Sequence, residues 1–215
     1  MALVEIIPPD FDVETHLVYA TAGNFTHAPV YGRAGCYLHG DAAAAQRHRS
    51  ILLGLIATTV GPGAFTGLRV GLAAARGLAL AGGLPMIGVT TLEALAHGAG
   101  EVRGERAVVA VLNARREEVY YQFFDGALAP LSPPRVGAAA AVELPAGAVL
   151  VVGDGADLIP AARGGNLVET MPSLLPDAAV VAAIAAARFD PAAAPGNPPE
   201  PLYLRSSGAR QPATP

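Results

Sequence analysis

A chain of 215 residues that is 52% hydrophobic and only 15% charged buries a sizeable core and is not a disordered polymer. All 14 basic residues are Arg, no Lys is present, and the net charge is −4. This excludes lysine chemistry and leaves no basic stripe for nucleic-acid phosphates, so any service to RNA is expected through a partner.

Residues 1 to about 56 hold four of the 5 histidines and the only cysteine, with no sustained hydrophobic period. Leu3–Ile7 allows a strand, and Asp41 to Leu55 a weak Ala-rich helix. Ile56–Val60 reads as a short buried strand, Gly61-Pro-Gly63 as a turn, and Phe65 to about Ala81 as a helix ended by Gly82-Gly83. Pro85–Val89 is a strand. Thr90/Thr91 caps a helix from Leu92 to about His97, with Glu93 near its positive end. Ala107–Asn113 and Glu117–Phe124 are apolar strands joined by an Asn113-Ala-Arg-Arg116 turn. Ala148–Val152 is a strand closing on Gly153-Asp-Gly155, and Asp177 caps an Ala/Val/Ile helix over Ala178–Phe189. The rest is Pro-rich, with a strand-like Pro201-Leu-Tyr-Leu-Arg205 and a tail from Ser206. Strands alternating with helices predict an α/β architecture.

The location follows from the same pass. Glu5 and Asp10 interrupt the first apolar run, so no signal peptide is expected. The apolar stretch Leu68 to Ala96 carries Arg69, Arg76 and Glu93 and is broken at Gly82-Gly83 and Pro85, which argues against a membrane span. A cytoplasmic protein with no membrane contact is expected. Cys36 alone gives no intrachain disulfide and no cysteine-based metal site.

The most informative segment is Thr59-Val-Gly-Pro-Gly-Ala-Phe-Thr-Gly-Leu-Arg-Val-Gly71, where a strand ends, a glycine turn follows and a helix opens. Backbone N–H groups at such a junction can cradle a phosphate, through Gly61, Gly63 and Gly67, or the glycines can simply make a tight turn. Walker A is excluded without lysine, and the glycine spacing does not fit a dinucleotide fingerprint. Along the helix, Gly67, Gly71 and Ala75 recur every fourth residue, beside Leu68, Leu72 and Leu78, with Arg69 and Arg76 at the edge. Interior helix glycine costs roughly 0.5–1 kcal/mol relative to Ala, so a repeated stripe suggests close approach of another backbone. That backbone is either the chain's own sheet or a partner's helix.

Val60–Gly71, continued through Ala73-Ala-Ala-Arg-Gly-Leu-Ala79 to Ile87-Gly-Val-Thr-Thr-Leu-Glu-Ala-Leu-Ala96, resembles the glycoprotease-like family in its TsaB (YeaZ) branch. Val111-Leu-Asn-Ala-Arg-Arg-Glu-Glu-Val-Tyr120 is similar to the family's Asp-Ala-Arg-x-x-Glu-Val-Tyr segment, with Asn113 in place of Asp. Gly153-Asp-Gly155 and Glu200-Pro-Leu-Tyr-Leu-Arg205 match its late glycine turn and its Pro-x-Tyr-Leu-Arg ending. Asn113, Arg115, Glu118, Tyr120, Tyr203 and Arg205 are therefore family-motif positions.

The resemblance implies an α/β, two-lobed fold like actin, Hsp70 and sugar kinases, with mixed sheets flanked by helices. Residues 1–100 would form the N-terminal lobe, 101–190 the C-terminal lobe and 191–215 a Pro-rich tail. It further implies a non-catalytic subunit in the making of N6-threonylcarbamoyladenosine beside the anticodon of tRNAs reading codons that start with A. The implied partners are a metal-bearing TsaD-like paralogue, a TsaE-like ATPase and a second copy of the chain, with tRNA met only through the complex. No cofactor is implied for this chain alone, and ATP or ADP would sit at the complex interface. The implied dimer interface takes Phe65, Thr66, Gly67, Leu68, Arg69, Gly71, Leu72, Ala75 and Arg76.

Residues 1–56 depart from the family, which opens with a strand ending Ile-Asp-Thr-Ser/Ala, a second strand and an amphipathic helix. Here Pro8-Pro9 follow the first apolar patch. An opening of family length but foreign composition is what a shifted reading frame in a GC-rich gene leaves, and a divergent lineage or an unusual paralogue leaves the same mark. A frame shift would cost the N-terminal lobe its first two strands.

Rival chemistries find little footing. A metallopeptidase needs convergent ligands, yet His16, His27, His39, His48 and His97 include no pair three or four apart. His97 reads as a residue meeting a helix C-terminal dipole. Ser50, Ser132, Ser173, Ser206 and Ser207 lie in no nucleophile elbow. Glu117 and Glu118 would point to opposite faces of a strand, and Asp154 and Asp157 fit turn chemistry. Arg115 and Arg116 could contact a phosphate or a partner, though two arginines on an exposed turn are usually just solvated. A small-molecule kinase of this fold class needs an acidic first turn that the chain lacks. No catalytic residue and no metal ligand is assigned.

Overall fold

The computed structural model describes residues 2–4, 17–21, 53–160, 167–172, 174–190, 192 and 197–205. Its first sheet has the order β1-β2-β3-β4, formed by Ala2–Val4, Leu17–Thr21, Leu53–Thr59 and Met86–Val89. β1 is antiparallel to β2, whereas β2, β3 and β4 are parallel. The parallel step from β3 to β4 requires a crossover, and helix α1 (Phe65–Gly82) provides it. Leu68, Leu72, Ala75 and Ala79, spaced four, three and four apart, form its buried face. Gly83 closes α1 in the left-handed region at φ 62°, with the Leu84 N–H donating to the Ala79 carbonyl at 2.9 Å.

The second sheet has the order β7-β6-β5-β8-β9, formed by Arg135–Ala138, Glu118–Phe124, Ala107–Arg115, Ala148–Val152 and Leu167–Met171. β5 is antiparallel to β6 and parallel to β8. Val108 to Leu112 are all buried, as expected of a central strand covered on both faces. Val108, Ala110 and Leu112 pack with Leu92 and Leu95 of helix α2 (Thr91–Gly98), while Val109 and Val111 pack with Val149, Val151 and Val142 on the other face. Ala94 of α2 instead joins Leu55, Ala57 and Val89 of the first sheet. One short helix is thus wedged between both sheets. Helix α3 (Ala178–Arg188), capped by Asp177 Oδ1 accepting from the Ala179 N–H at 2.7 Å, covers the first sheet through Val181, Ala182 and Ala185.

Several expectations are corrected. β5 does not turn at Asn113 but runs to Arg115, and the reversal is made by Arg115, Arg116 and Glu117, all at positive φ. Glu117 therefore belongs to the turn and not to the strand. β7 and β9, short and weakly patterned, were not foreseen. Pro201–Arg205 forms no strand: it lies as an extended segment with a single backbone tie to the first sheet. Leu53–Leu55 are strand, not the end of a helix, and residues 41–52 of that expected helix lie outside the described ones. Of Leu3–Ile7, Leu3 and Val4 are in β1 and residues 5–7 lie outside the described ones.

Candidate functional site

The glycine loop is held from both sides. Val60 N–H donates to the Val89 carbonyl at 2.9 Å, Thr91 N–H to the Gly61 carbonyl at 2.8 Å, and Leu202 N–H to the Val60 carbonyl at 2.7 Å. Gly61 has φ 105°, and a Cβ there would lie 3.0 Å from the Leu202 carbonyl oxygen and 3.1 Å from Leu68 Cδ2. Only glycine suits that position. Next in the chain, Ala64 stands at the N-cap of α1, and the first turn of this 18-residue helix has neither a side-chain cap nor an acidic residue.

That helix end opens onto a cavity of about 420 Å³. One wall is Thr59, Pro62, Gly63, Ala64, Phe65 and Leu68; the other comes from the β5–β6 hairpin as Leu112, Asn113, Ala114, Arg115 and Tyr120. Asp154, Arg205, Thr91, Leu175 and Pro176 complete it. Seven sequence-assigned positions, Gly63, Phe65, Leu68, Asn113, Arg115, Tyr120 and Arg205, so meet around one space despite their separation in the chain.

Asn113 acts locally. Its Oδ1 accepts from the Arg115 N–H at 2.8 Å, and its own N–H donates to Asp154 Oδ1 at 2.9 Å. Asp154 reaches it because Gly153 and Gly155 press against β5: a Cβ on Gly155 would lie 3.0 Å from the Asn113 nitrogen. The late glycine turn and the Asn113 segment are one constellation, a link the sequence reading missed. A pair of glycines around one acid was the available signal.

The last described segment crosses the site. Arg205 pairs with Glu118, Arg76 donates to the Pro199 carbonyl at 2.7 Å, and Arg69 Nε donates to the Tyr203 hydroxyl at 2.8 Å. The Arg69 guanidinium also lies 3.8 Å from the Phe65 ring centroid, and the Phe65 and Tyr203 rings are 5.6 Å apart.

The small-residue stripe divides. Ala75 is fully buried against Ile56 of the chain's own sheet, and Leu68 and Leu72 are buried as well. Gly67 and Gly71 are half-buried on one flank, while Thr66 is exposed. The solvent side of α1 carries Val70, Ala73, Ala74, Gly77 and Leu80, with Val70 49% and Leu80 87% exposed, and the exposed Arg69 and Arg76 border it. His97, half-buried, has its pKa lowered: burial is the main cause, opposed by Glu93 and assisted by Arg188 and Arg103. It stands in the last turn of α2, where the helix dipole favours its protonated form and burial opposes it. Among the described residues no group of three or more His, Cys, Asp or Glu is placed to hold a metal ion, and no helix is long and apolar enough to cross a membrane.

These features define an α/β protein of mixed sheets flanked by helices, with a glycine loop facing a hairpin across a cleft. The family model described as TsaD, tRNA N6-adenosine threonylcarbamoyltransferase, matches residues 44–130, which include β3, α1 and the hairpin. More particularly, the chain is similar to TsaB (YeaZ) proteins. It is 52% identical over 61 residues to the tRNA threonylcarbamoyladenosine biosynthesis protein TsaB of Escherichia coli, covering 28% of this chain and 26% of that one. The Haemophilus influenzae TsaB is 48% identical over 61 residues with the same coverage. The chain thus spans about a quarter of the length of these curated relatives. YeaZ from Pseudomonas aeruginosa superposes with a TM-score of 0.58 at 29% identity, over 71% of this chain and 74% of that one. The resemblance and the fold class expected from the glycine-loop segment are borne out.

Proposed function

We propose that this chain is a non-catalytic scaffold subunit of the assembly that forms N6-threonylcarbamoyladenosine beside the anticodon of tRNAs reading codons that start with A. It would pair through α1 with a TsaD-like catalytic paralogue, with a TsaE-like ATPase on the pair and tRNA reached only through the complex. The observation that carries this is the apolar strip on the outer side of α1, with Val70 and Leu80 exposed and Arg69 and Arg76 at its edge, in the stretch matched by the family. Bare apolar helix faces of this kind mark association sites. The absence from the whole sequence of a His-x-x-x-His pair, which the catalytic paralogue carries, supports the non-catalytic role. In this reading residues 1–100 and 101–190 are the two lobes, and the protein works in the cytoplasm.

Gly61, Gly63 and Gly67 with the uncapped start of α1 favour an anion, and ATP or ADP at the complex interface would present one. Light scattering on a size-exclusion column, with the chain alone and mixed with its TsaD-like paralogue, tests the scaffold reading. A one-to-one complex is expected; a folded chain that never shifts the paralogue overturns it.

A further inference from the structure

We infer that Pro199–Arg205 is a latch that couples the two walls of the cavity. Its anchors fall on both sides. Toward the first sheet, the Leu202 N–H holds the Val60 carbonyl at the exit of β3, and the Pro199 carbonyl and Tyr203 hydroxyl receive Arg76 and Arg69 of α1. Toward the second sheet, Arg205 pairs with Glu118, the first residue of β6, and itself lines the cavity. Seven residues therefore tie the glycine loop and α1 to the hairpin that faces them.

The chain is shaped to receive this segment. Gly61 leaves room for the Leu202 carbonyl, and Gly88 leaves room for Pro199, whose Cβ would lie 2.8 Å from a Cβ placed there. Two glycines in different elements are thus cleared for one short segment. Apart from the Leu202–Val60 bond, its polar ties are made by solvent-exposed side chains, each worth little singly. A clasp of several weak ties opens locally without unfolding either sheet. In the closed position it sets the spacing between the start of α1 and the Asn113 turn, and release of either end frees both walls. The device does not depend on the partner proposed above.

Hydrogen exchange on the full-length chain tests it at two amides that report the two walls: Thr91, held by the Gly61 carbonyl, and Asn113, held by Asp154. Leu202→Pro deletes the donor to Val60, and Arg205→Gln deletes the pair with Glu118. Cutting either end is expected to speed exchange about two- to fivefold at both amides while Val109 and Val151 stay protected. The charge-swapped pair Glu118→Arg with Arg205→Glu is expected to return both to the original rate. If each variant speeds only the amide at its own end, or neither amide responds, the segment does not couple the walls and the inference is wrong. Should Leu202→Pro fail to fold, Arg205→Gln and the swap, both on exposed side chains, decide the matter alone.

Discussion

Arg69 and Tyr203 are joined by a hydrogen bond of 2.8 Å across 134 positions of sequence, with the Arg69 guanidinium stacked on Phe65 at the same time. The bond fixes where the C-terminal segment lies on α1. Tyr203→Phe removes the accepting hydroxyl but keeps the ring beside Phe65. Both groups are exposed, so the loss in urea denaturation is expected to be small, about 0.5–1 kcal/mol. Arg69→Ala also removes the cation–π contact and should cost slightly more. Equal losses for the two would show that the stacking contributes nothing.

Gly61→Ala is a sharper test of the loop. The residue sits at φ 105° and its new Cβ would meet the Leu202 carbonyl oxygen at 3.0 Å. Strain and contact act together, and a loss of about 1–3 kcal/mol is expected. Gly63→Ala, with nothing within 4 Å of its Cβ and no positive φ, should be nearly silent. Thermal melts of the two variants check the contrast; comparable shifts would mean that the loop is not built as described.

The contrast between these glycines explains what could be read in the chain. Elements with a local signature were legible: the Gly82-Gly83 stop, the Thr90 cap that accepts from the Glu93 N–H at 3.1 Å, and the apolar run of β5. The site residues were legible as motifs but not as a set. Nothing local to Arg205 points to Glu118, and nothing local to Asp154 points to the Asn113 amide; both contacts are made by the folding of distant segments. The α1 stripe left two readings open for a related reason. A helix has three flanks, and periodicity marks a face without saying what covers it, so Ala75 against Ile56 and Val70 against solvent carry similar signals.

His97 gives a pH dependence. Its folded pKa lies below the ordinary value of 6.5, chiefly through burial. The unfolded chain therefore binds more protons on acidification, and the sign is that stability rises with pH through the window just below 6.5 and falls as pH drops through it. His97→Gln is expected to flatten that slope in denaturation series between about pH 7 and 5. An unchanged slope would place the acid sensitivity in other groups.

The outer face of α1 supplies the last prediction. Leu80 is 87% exposed and Val70 49%, so neither contributes much to the fold. Leu80→Glu or Val70→Glu adds a charge that an apolar interface would have to desolvate, and paralogue binding should weaken about tenfold or more with the melting temperature unchanged. Gly71→Leu is the companion on the half-buried flank: bulk there should abolish pairing while the lone chain stays folded. Titration calorimetry with the paralogue and a melt of each free variant separate the outcomes. If Gly71→Leu unfolds the free chain, that flank belongs to the chain's own packing. If the glutamate variants bind as the parent does, the partner lies elsewhere on the molecule.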